Sequence, residues 1–226
     1  MELLQEQIDY YRARAGEYDE WWYRTGRYDR GPADNARWFA EIAELQAALE
    51  RFRPAGRMLE LACGTGLWST ELARFGDELT LVDSSPEVLA INASRVRHPH
   101  VEYIQADLFS WRSRTEYDVV FFSFWMSHVP LERFEALWDM VRQCLAPNGR
   151  VFFIDSLYDD RSTARDHQLH GPSATTINRR LNDGRAYRIV KVFYRASDLQ
   201  QRLEQLGWQA DVRRTETYFL YGASER

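Results

Sequence analysis

Three acids stand at matching places in the first half of the chain. Glu60 lies in the apolar run Met58-Leu59-Glu60-Leu61, Asp83 closes Leu79-Thr80-Leu81-Val82, and Asp107 follows Val101-Glu102-Tyr103-Ile104-Gln105-Ala106. After the first run comes Gly64-Thr65-Gly66, and then an amphipathic stretch with Leu67, Leu72, Ala73 and Phe75. Apolar run, glycine turn and amphipathic stretch read as strand, turn and helix, the opening of a doubly wound α/β domain. Gly64 and Gly66 let the backbone turn sharply and approach a ligand where a Cβ would collide. The free N–H groups of the following helix can face a polar or anionic group. An acid after the second strand can accept both ribose hydroxyls, and one after the third can accept from an exocyclic adenine amine. Alone, Gly-x-Gly is only a loop between two elements. With acids at the ends of three successive strands it points to a nucleoside-type ligand.

A dinucleotide site calls for Gly-x-Gly-x-x-Gly, with the last glycine admitting close helix–strand packing around a pyrophosphate. Here the sequence is Gly64-Thr65-Gly66-Leu67-Trp68-Ser69, so Ser69 replaces the third glycine and Trp68 stands beside it. Glu60 sits poorly beside a pyrophosphate and suits a cationic ligand. On these residues the chain resembles the class I S-adenosylmethionine-dependent methyltransferases. Glu60-Leu61-Ala62-Cys63-Gly64-Thr65-Gly66 is similar to their first motif. Leu81-Val82-Asp83-Ser84-Ser85 and Gln105-Ala106-Asp107-Leu108 resemble the next two, and Tyr117-Asp118-Val119-Val120-Phe121-Phe122 resembles the fourth-strand motif. The likeness runs from about Tyr10 to the C-terminus and is loose after Asp155.

The resemblance implies an α/β fold: a doubly wound, seven-stranded, mostly parallel Rossmann-like sheet with an antiparallel C-terminal strand and a helical N-terminal cover. It implies S-adenosyl-L-methionine as cofactor and methyl transfer to a small-molecule acceptor, with O, N, S and C all open as the acceptor atom. Two other readings stay open: a protein that senses the donor without turnover, and an NAD(P)-dependent oxidoreductase, weakened by Ser69.

Composition agrees with one sizeable domain: 226 residues, 45% of them apolar and 14% aromatic. The net charge of −5 indicates no bulk attraction to nucleic acid. Residues 159–195 are the exception, with eight basic and four acidic side chains. That surplus is either an anion-attracting lid or a solvated surface, and the second is the expected one. Cys63 and Cys144 fall in different elements without metal-ligand spacing, as expected of a reduced, cytoplasmic protein. The acidic, polar start lacks the basic and apolar regions of a signal peptide. No run approaches the roughly 18 apolar residues of a membrane span.

These residues need elements to position them. Leu4, Ile8, Tyr11, Ala15, Tyr18 and Trp22 recur at helical spacing, which Gly16 can interrupt. Trp38, Ile42, Leu45, Leu49 and Phe52 form a second helical stripe, ended by Pro54. Residues 118–124 and 151–154 are continuous apolar runs, suited to strands buried on both faces. Between them a helix is expected over 131–146, stopped by Pro147-Asn148-Gly149. Residues 187–193 alternate like a strand. Ser197-Asp198-Leu199-Gln200 reads as a capping box opening a helix that Gly207 closes. Residues 208–213 and 217–221 look like a terminal antiparallel pair. The expected organisation is a single domain over 1–226: a cover (1–53), a cofactor-binding core (54–156), a lid or substrate insertion (157–186) and a C-terminal part (187–226).

A sulfonium donor carries its methyl group already activated, so the protein mainly aligns donor and acceptor, a contribution of roughly 7–11 kcal/mol. From the resemblance, Glu60, Gly64 and Gly66 hold the amino-acid end of the donor. Asp83 takes the ribose and Asp107 with Leu108 the adenine, while Ala62, Ser84 and Ser123 complete the strand-end set. Tyr11 and Tyr18, from the aromatic cover, close over the donor, where a sulfonium gains about 0.5–2 kcal/mol from an aromatic face. Trp22, Tyr28, Trp125 and Tyr158 are the candidates for the acceptor pocket. His128, just past the fourth strand in Ser127-His128-Val129-Pro130, is the candidate catalytic residue, as general base, as a substrate contact, or as a structural histidine hydrogen-bonded within its loop. His167 and His170 have pair spacing, but no nearby cysteine or ordered acid completes a metal site, so none is expected.

Overall fold

The computed structural model describes residues 2–225. Seven strands form one sheet: β1 (Arg57–Leu61), β2 (Glu78–Asp83), β3 (Val101–Gln105), β4 (Tyr117–Ser123), β5 (Leu145–Ser156), β8 (Gln209–Arg214) and β9 (Phe219–Glu225). Their order is β3-β2-β1-β4-β5-β9-β8. The first five run parallel, and β9 is antiparallel to both β5 and β8. The reversal of strand order between β1 and β4 opens a crevice at the strands' carboxyl ends, the place where such sheets bind ligands.

The central strands are apolar on both faces because both faces are covered. Val119 and Phe121 of β4 enter a core with Trp38, Ile42 and Leu45 of α3 (Pro32–Phe52), Leu72 of α4 (Ser69–Leu72) and Leu89 of α5 (Pro86–Arg95). Val120 and Phe122 enter the opposite core, with Trp138 and Val141 of α6 (Phe134–Cys144) and Leu199 and Leu203 of α7 (Ala196–Gln205). Register makes these contacts cross-strand: Phe121 stacks on Phe152 at 6.2 Å on one face, and Phe122 on Phe153 at 5.7 Å on the other. Offset aromatic pairs of this kind add about 0.5–1.5 kcal/mol to their burial.

Several boundaries differ from expectation, each for a local reason. The N-terminal stripe is two helices, α1 (Glu2–Arg14) and α2 (Tyr18–Tyr23), separated around Gly16. The buried side chains of α1 are Gln7, Tyr10 and Arg14, whereas Leu4, Ile8 and Tyr11 are only half-buried. Its neighbour is a hairpin, β6 (Thr176–Arg180) and β7 (Ala186–Val190), which forms a separate two-stranded sheet. Tyr10 there joins Ile177, Leu181 and Ile189 in a small third cluster. The insertion thus has structure of its own, and the strand expected over 187–193 belongs to it. Residues 131–133 are a 3₁₀ turn before α6, and Pro147-Asn148-Gly149 lies in an irregular start to β5 with a register shift against β4. The capping box does not form: Arg195 is the N-cap of α7 and makes no side-chain cap bond, while the Ser197 hydroxyl donates to Asp198 instead. Among the described residues no helix is long and apolar enough to cross a membrane.

Gly222 marks where β9 crosses the aromatic core. A Cβ there would lie 2.5 Å from Cζ of Phe153 and 3.0 Å from the Asp211 carbonyl oxygen. Gly222→Ala should therefore cost about 1–3 kcal/mol through overpacking. Urea unfolding would read this directly, and a midpoint equal to wild type would mean that the β5–β9 contact is looser than described.

Candidate active site

The first cavity, about 790 Å³, lies where the strand-end motifs converge. Ala62 and Gly64 line it after β1, Asp83 and Ser84 after β2, Asp107 and Leu108 after β3, and Ser123 after β4. Tyr11 and Tyr18 close it from the cover. The glycine turn has left-handed backbone at Ala62 (φ 52°), Gly64 (φ 55°) and Gly66 (φ 90°), and Phe124 repeats this at the end of β4 (φ 53°). Non-glycine residues held in that region mark chain that the surrounding structure over-determines. The Asp83 carboxylate accepts from Gly64 N at 3.1 Å and Ser85 N at 3.0 Å. Burial pushes its carboxyl upward, against those N–H groups.

Glu60 and Gly66 do not line this cavity. Glu60 is buried beneath the turn and accepts from the Ser69 hydroxyl at 2.5 Å. Burial pushes its carboxyl up to about 8, with the Ser69 bond opposing. Ser69, which replaces a third glycine, is thus the partner of the motif's acid. A Cβ on Gly66 would come within 3.0 Å of Cγ of Asn92. The fully buried Asn92 amide donates to Gly64 O at 3.1 Å and Ser69 Oγ at 2.9 Å, fixing the turn from below. Sequence reading missed Asn92, because nothing in a helix pattern reveals that one face looks into a turn. It also missed Asp19, which accepts from the Thr65 hydroxyl at 2.6 Å and pairs with Arg95, tying the cover to the glycine turn.

A second cavity, about 550 Å³, adjoins the first, and Tyr11, Tyr18, Phe124 and His128 line both. Of the acceptor-pocket candidates, Tyr28 lines it. Trp125 lines the first cavity instead. Trp22 is core, 5.8 Å from the Trp68 ring, and borders only a narrow cleft beside Cys63. Tyr158 packs edge-on against Phe193 at 5.2 Å and lines none of these spaces. The basic surplus of 159–195, expected as solvated surface, sends Arg179 and Lys191 into the second cavity, where α1 adds Arg14. No short-range pattern relates positions 14, 179 and 191, so only the hairpin's docking on α1 brings them together.

His128 sits between the two cavities with both ring nitrogens engaged. Nδ1 lies 2.7 Å from the Val190 carbonyl oxygen, so Nδ1 carries the hydrogen. Nε2 then accepts from the Tyr11 hydroxyl at 2.8 Å. Burial, reinforced by the Lys191 charge, pushes the imidazole well below its usual range, so the ring is neutral. Gln7 completes the knot, donating to the His128 carbonyl and accepting from Val190 N, each at 3.0 Å. In this arrangement the ring's acceptor nitrogen holds Tyr11.

The fold and the motifs have counterparts among known proteins. The family described as a methyltransferase domain matches residues 33–211. A solved DhpI–SAM–HEP complex is 39% identical, covering 99% of this chain and 97% of its own, with a TM-score of 0.78. The N-methyltransferase NodS from Bradyrhizobium japonicum WM9, solved with S-adenosyl-L-homocysteine, shares the fold: 15% identity, 98% of each chain, TM-score 0.63. The mitochondrial ubiquinone biosynthesis O-methyltransferase of Schizosaccharomyces pombe is 33% identical over 100 residues, 42% of this chain and only 36% of that protein's length.

The buried neutral imidazole predicts a pH effect on stability. Its folded pKa lies below the unfolded value of about 6.5, so only the unfolded chain takes the proton as pH falls past that point. The contribution is complete above pH 6.5 and is lost below it, at up to about 1.4 kcal/mol per pH unit. His167, pushed down to about 4 chiefly by burial, adds a slope of the same sign. Urea unfolding from pH 7 to 5 should therefore lose one proton's worth of slope in His128→Asn and retain the His167 part. Equal slopes in variant and wild type would mean that His128 is charged in the folded protein.

Proposed function

The chain belongs to the class I S-adenosylmethionine-dependent methyltransferases, and we propose that its first cavity holds S-adenosylmethionine and its second a small-molecule acceptor. The observation that carries this is the convergence of Gly64, Asp83 and Asp107 on one cavity, which shares Tyr11, Tyr18, Phe124 and His128 with its neighbour. The bound donor supplies the activated methyl group. The chain's residues bind, orient and exclude water. Asp83 accepts from the ribose hydroxyls, and Asp107 with Leu108 receives the adenine. Ala62, Gly64, Ser84 and Ser123 shape the floor, and Tyr18 presents a ring to the cationic centre. Glu60 acts from beneath, orienting the turn through the Ser69 hydroxyl. Gly66 serves through its backbone, leaving room for Asn92.

We assign His128 a positioning role at the junction of the two cavities. With Nε2 engaged, it orients the Tyr11 hydroxyl toward donor and acceptor. Tyr28 forms part of the acceptor wall and Trp125 part of the donor wall. The HEP-bound complex of the 39% identical relative supports reading a second small molecule beside the donor. We also read the chain as one functional unit: a cover (1–53), a core (54–156), an insertion expected over 157–186 that runs on to Val190 because β6 and β7 are one hairpin, and a closing part after it. The buried free thiols Cys63 and Cys144 support a reducing compartment such as the cytoplasm, and the net charge of −5 argues against a nucleic-acid substrate.

Asp83 tests the donor assignment. Asp83→Ala would leave ribose hydroxyls without their acceptor in a partly closed cavity, at a cost of about 1–3 kcal/mol. Titration with S-adenosylhomocysteine should show affinity reduced by about tenfold or more, with the circular dichroism spectrum unchanged. Wild-type affinity would place the ribose elsewhere.

A further inference from the structure

The second cavity carries a charge that the protein does not neutralise. Arg14, Arg179 and Lys191 line it, and among the described residues no carboxylate does. Lys191 has a partial counter-charge: its ammonium donates to Ser127 Oγ at 2.7 Å and lies 3.7 Å from the buried Asp155 carboxylate. Arg14 and Arg179 make no ion pair among the described residues. Arg14 is 8% exposed, and its Nε has no hydrogen-bond partner. One terminal nitrogen donates to the Tyr28 hydroxyl at 3.2 Å, and the guanidinium lies over the Tyr18 ring at 4.7 Å. Arg179 donates to the Thr163 hydroxyl and to His167 Nδ1, both neutral groups. These contacts orient the two guanidiniums but leave their charge standing.

Buried charges are paired as a rule, since an unpaired one is strongly destabilising. Here the surplus is gathered around open space that adjoins the donor cavity, with the hydroxyls of Ser156, Ser162 and Thr163 on the same wall. Planar guanidinium groups match carboxylate and phosphoryl oxygens geometrically. A core packing role for the cations would close the space between them; a cavity of about 550 Å³ separates them instead, and no protein group accepts from Arg14 Nε among the described residues.

We propose that the second cavity binds its acceptor through an oxyanion, a carboxylate or phosphoryl group held by Arg14, Arg179 and Lys191. This rests on reading that cavity as the acceptor site. The pocket then selects small anionic molecules and rejects neutral analogues of the same size, which leave the cations unpaired.

Calorimetry on the protein loaded with S-adenosylhomocysteine, using inorganic phosphate and acetate as probes, tests this. At least one probe should bind wild type, and whichever binds more tightly tells phosphoryl from carboxylate recognition. Arg179→Gln, on the half-buried hairpin, and Arg14→Gln should each weaken that anion by about tenfold or more, with S-adenosylhomocysteine affinity unchanged. Should Arg14→Gln fail to fold, Arg179→Gln alone decides. Wild type that binds S-adenosylhomocysteine but neither anion overturns the proposal and leaves the donor site standing. So does an Arg179→Gln protein with full anion affinity, or turnover of neutral alcohols and amines in preference to alkyl carboxylates, phosphates and phosphonates. Failure to bind S-adenosylhomocysteine would instead strike the donor reading on which this one rests.

Discussion

Segments from three distant parts of the chain meet at the His128 ring: α1 through Gln7 and Tyr11, the turn after β4 through His128 itself, and β7 through Val190. Both cavities depend on that meeting, since Tyr11 and His128 form the wall between them. The polar groups involved are buried, so each must find a partner inside the protein. Gln7 satisfies one carbonyl and one N–H of separate segments with a single side chain. The imidazole does the same for a carbonyl and a hydroxyl: neutral, with its hydrogen on Nδ1, it donates to the first and accepts from the second. Docking of the cover and docking of the hairpin are therefore linked through His128.

The donor side shows a similar economy beneath the glycine turn. Asn92, Ser69 and Glu60 form a buried polar chain, from which the Asn92 amide fixes the carbonyls of Cys63 and Gly64. From above, Asp19 and Arg95 fasten the cover to Thr65. The turn is thus held from both sides by side chains, while its backbone stays open to ligand. Removing water from this space strengthens every electrostatic interaction within it. A cover latched by hydrogen bonds and ion pairs can do that and still release product.

The two cavities differ in character. The first is walled by apolar groups and strand-end acids, the second by aromatic rings, hydroxyls and cations. A cationic donor beside an anionic acceptor would bring opposite charges together and cancel them in the product. That pairing suits a site whose catalytic contribution is mainly alignment.

The sequence by itself determined the sheet's parallel core, because strands buried on both faces must be continuously apolar, and 118–124 and 151–154 are. It also determined the donor floor: strand, glycine turn and strand-end acid are local patterns, so Gly64, Asp83 and Asp107 could be placed without knowing the fold. Tertiary structure decided what rests on contacts between distant segments. The buried face of α1 proved to be Gln7, Tyr10 and Arg14 because its neighbour is the β6–β7 hairpin, where Tyr10 packs on Ile177 and Ile189 and Gln7 accepts from Val190 N, which helical periodicity cannot disclose. Trp22 became core and Tyr158 a packing partner of Phe193, since aromatic type says nothing of which surface a ring will cover. Glu60 was legible as the motif's acid, but only the packing of Ser69 and Asn92 put it below the turn. Arg14, Arg179 and Lys191 look like scattered surface charges in the sequence. They share a cavity because β6 and β7 fold back on α1, and charges so far apart along the chain acquire a common field only through that docking.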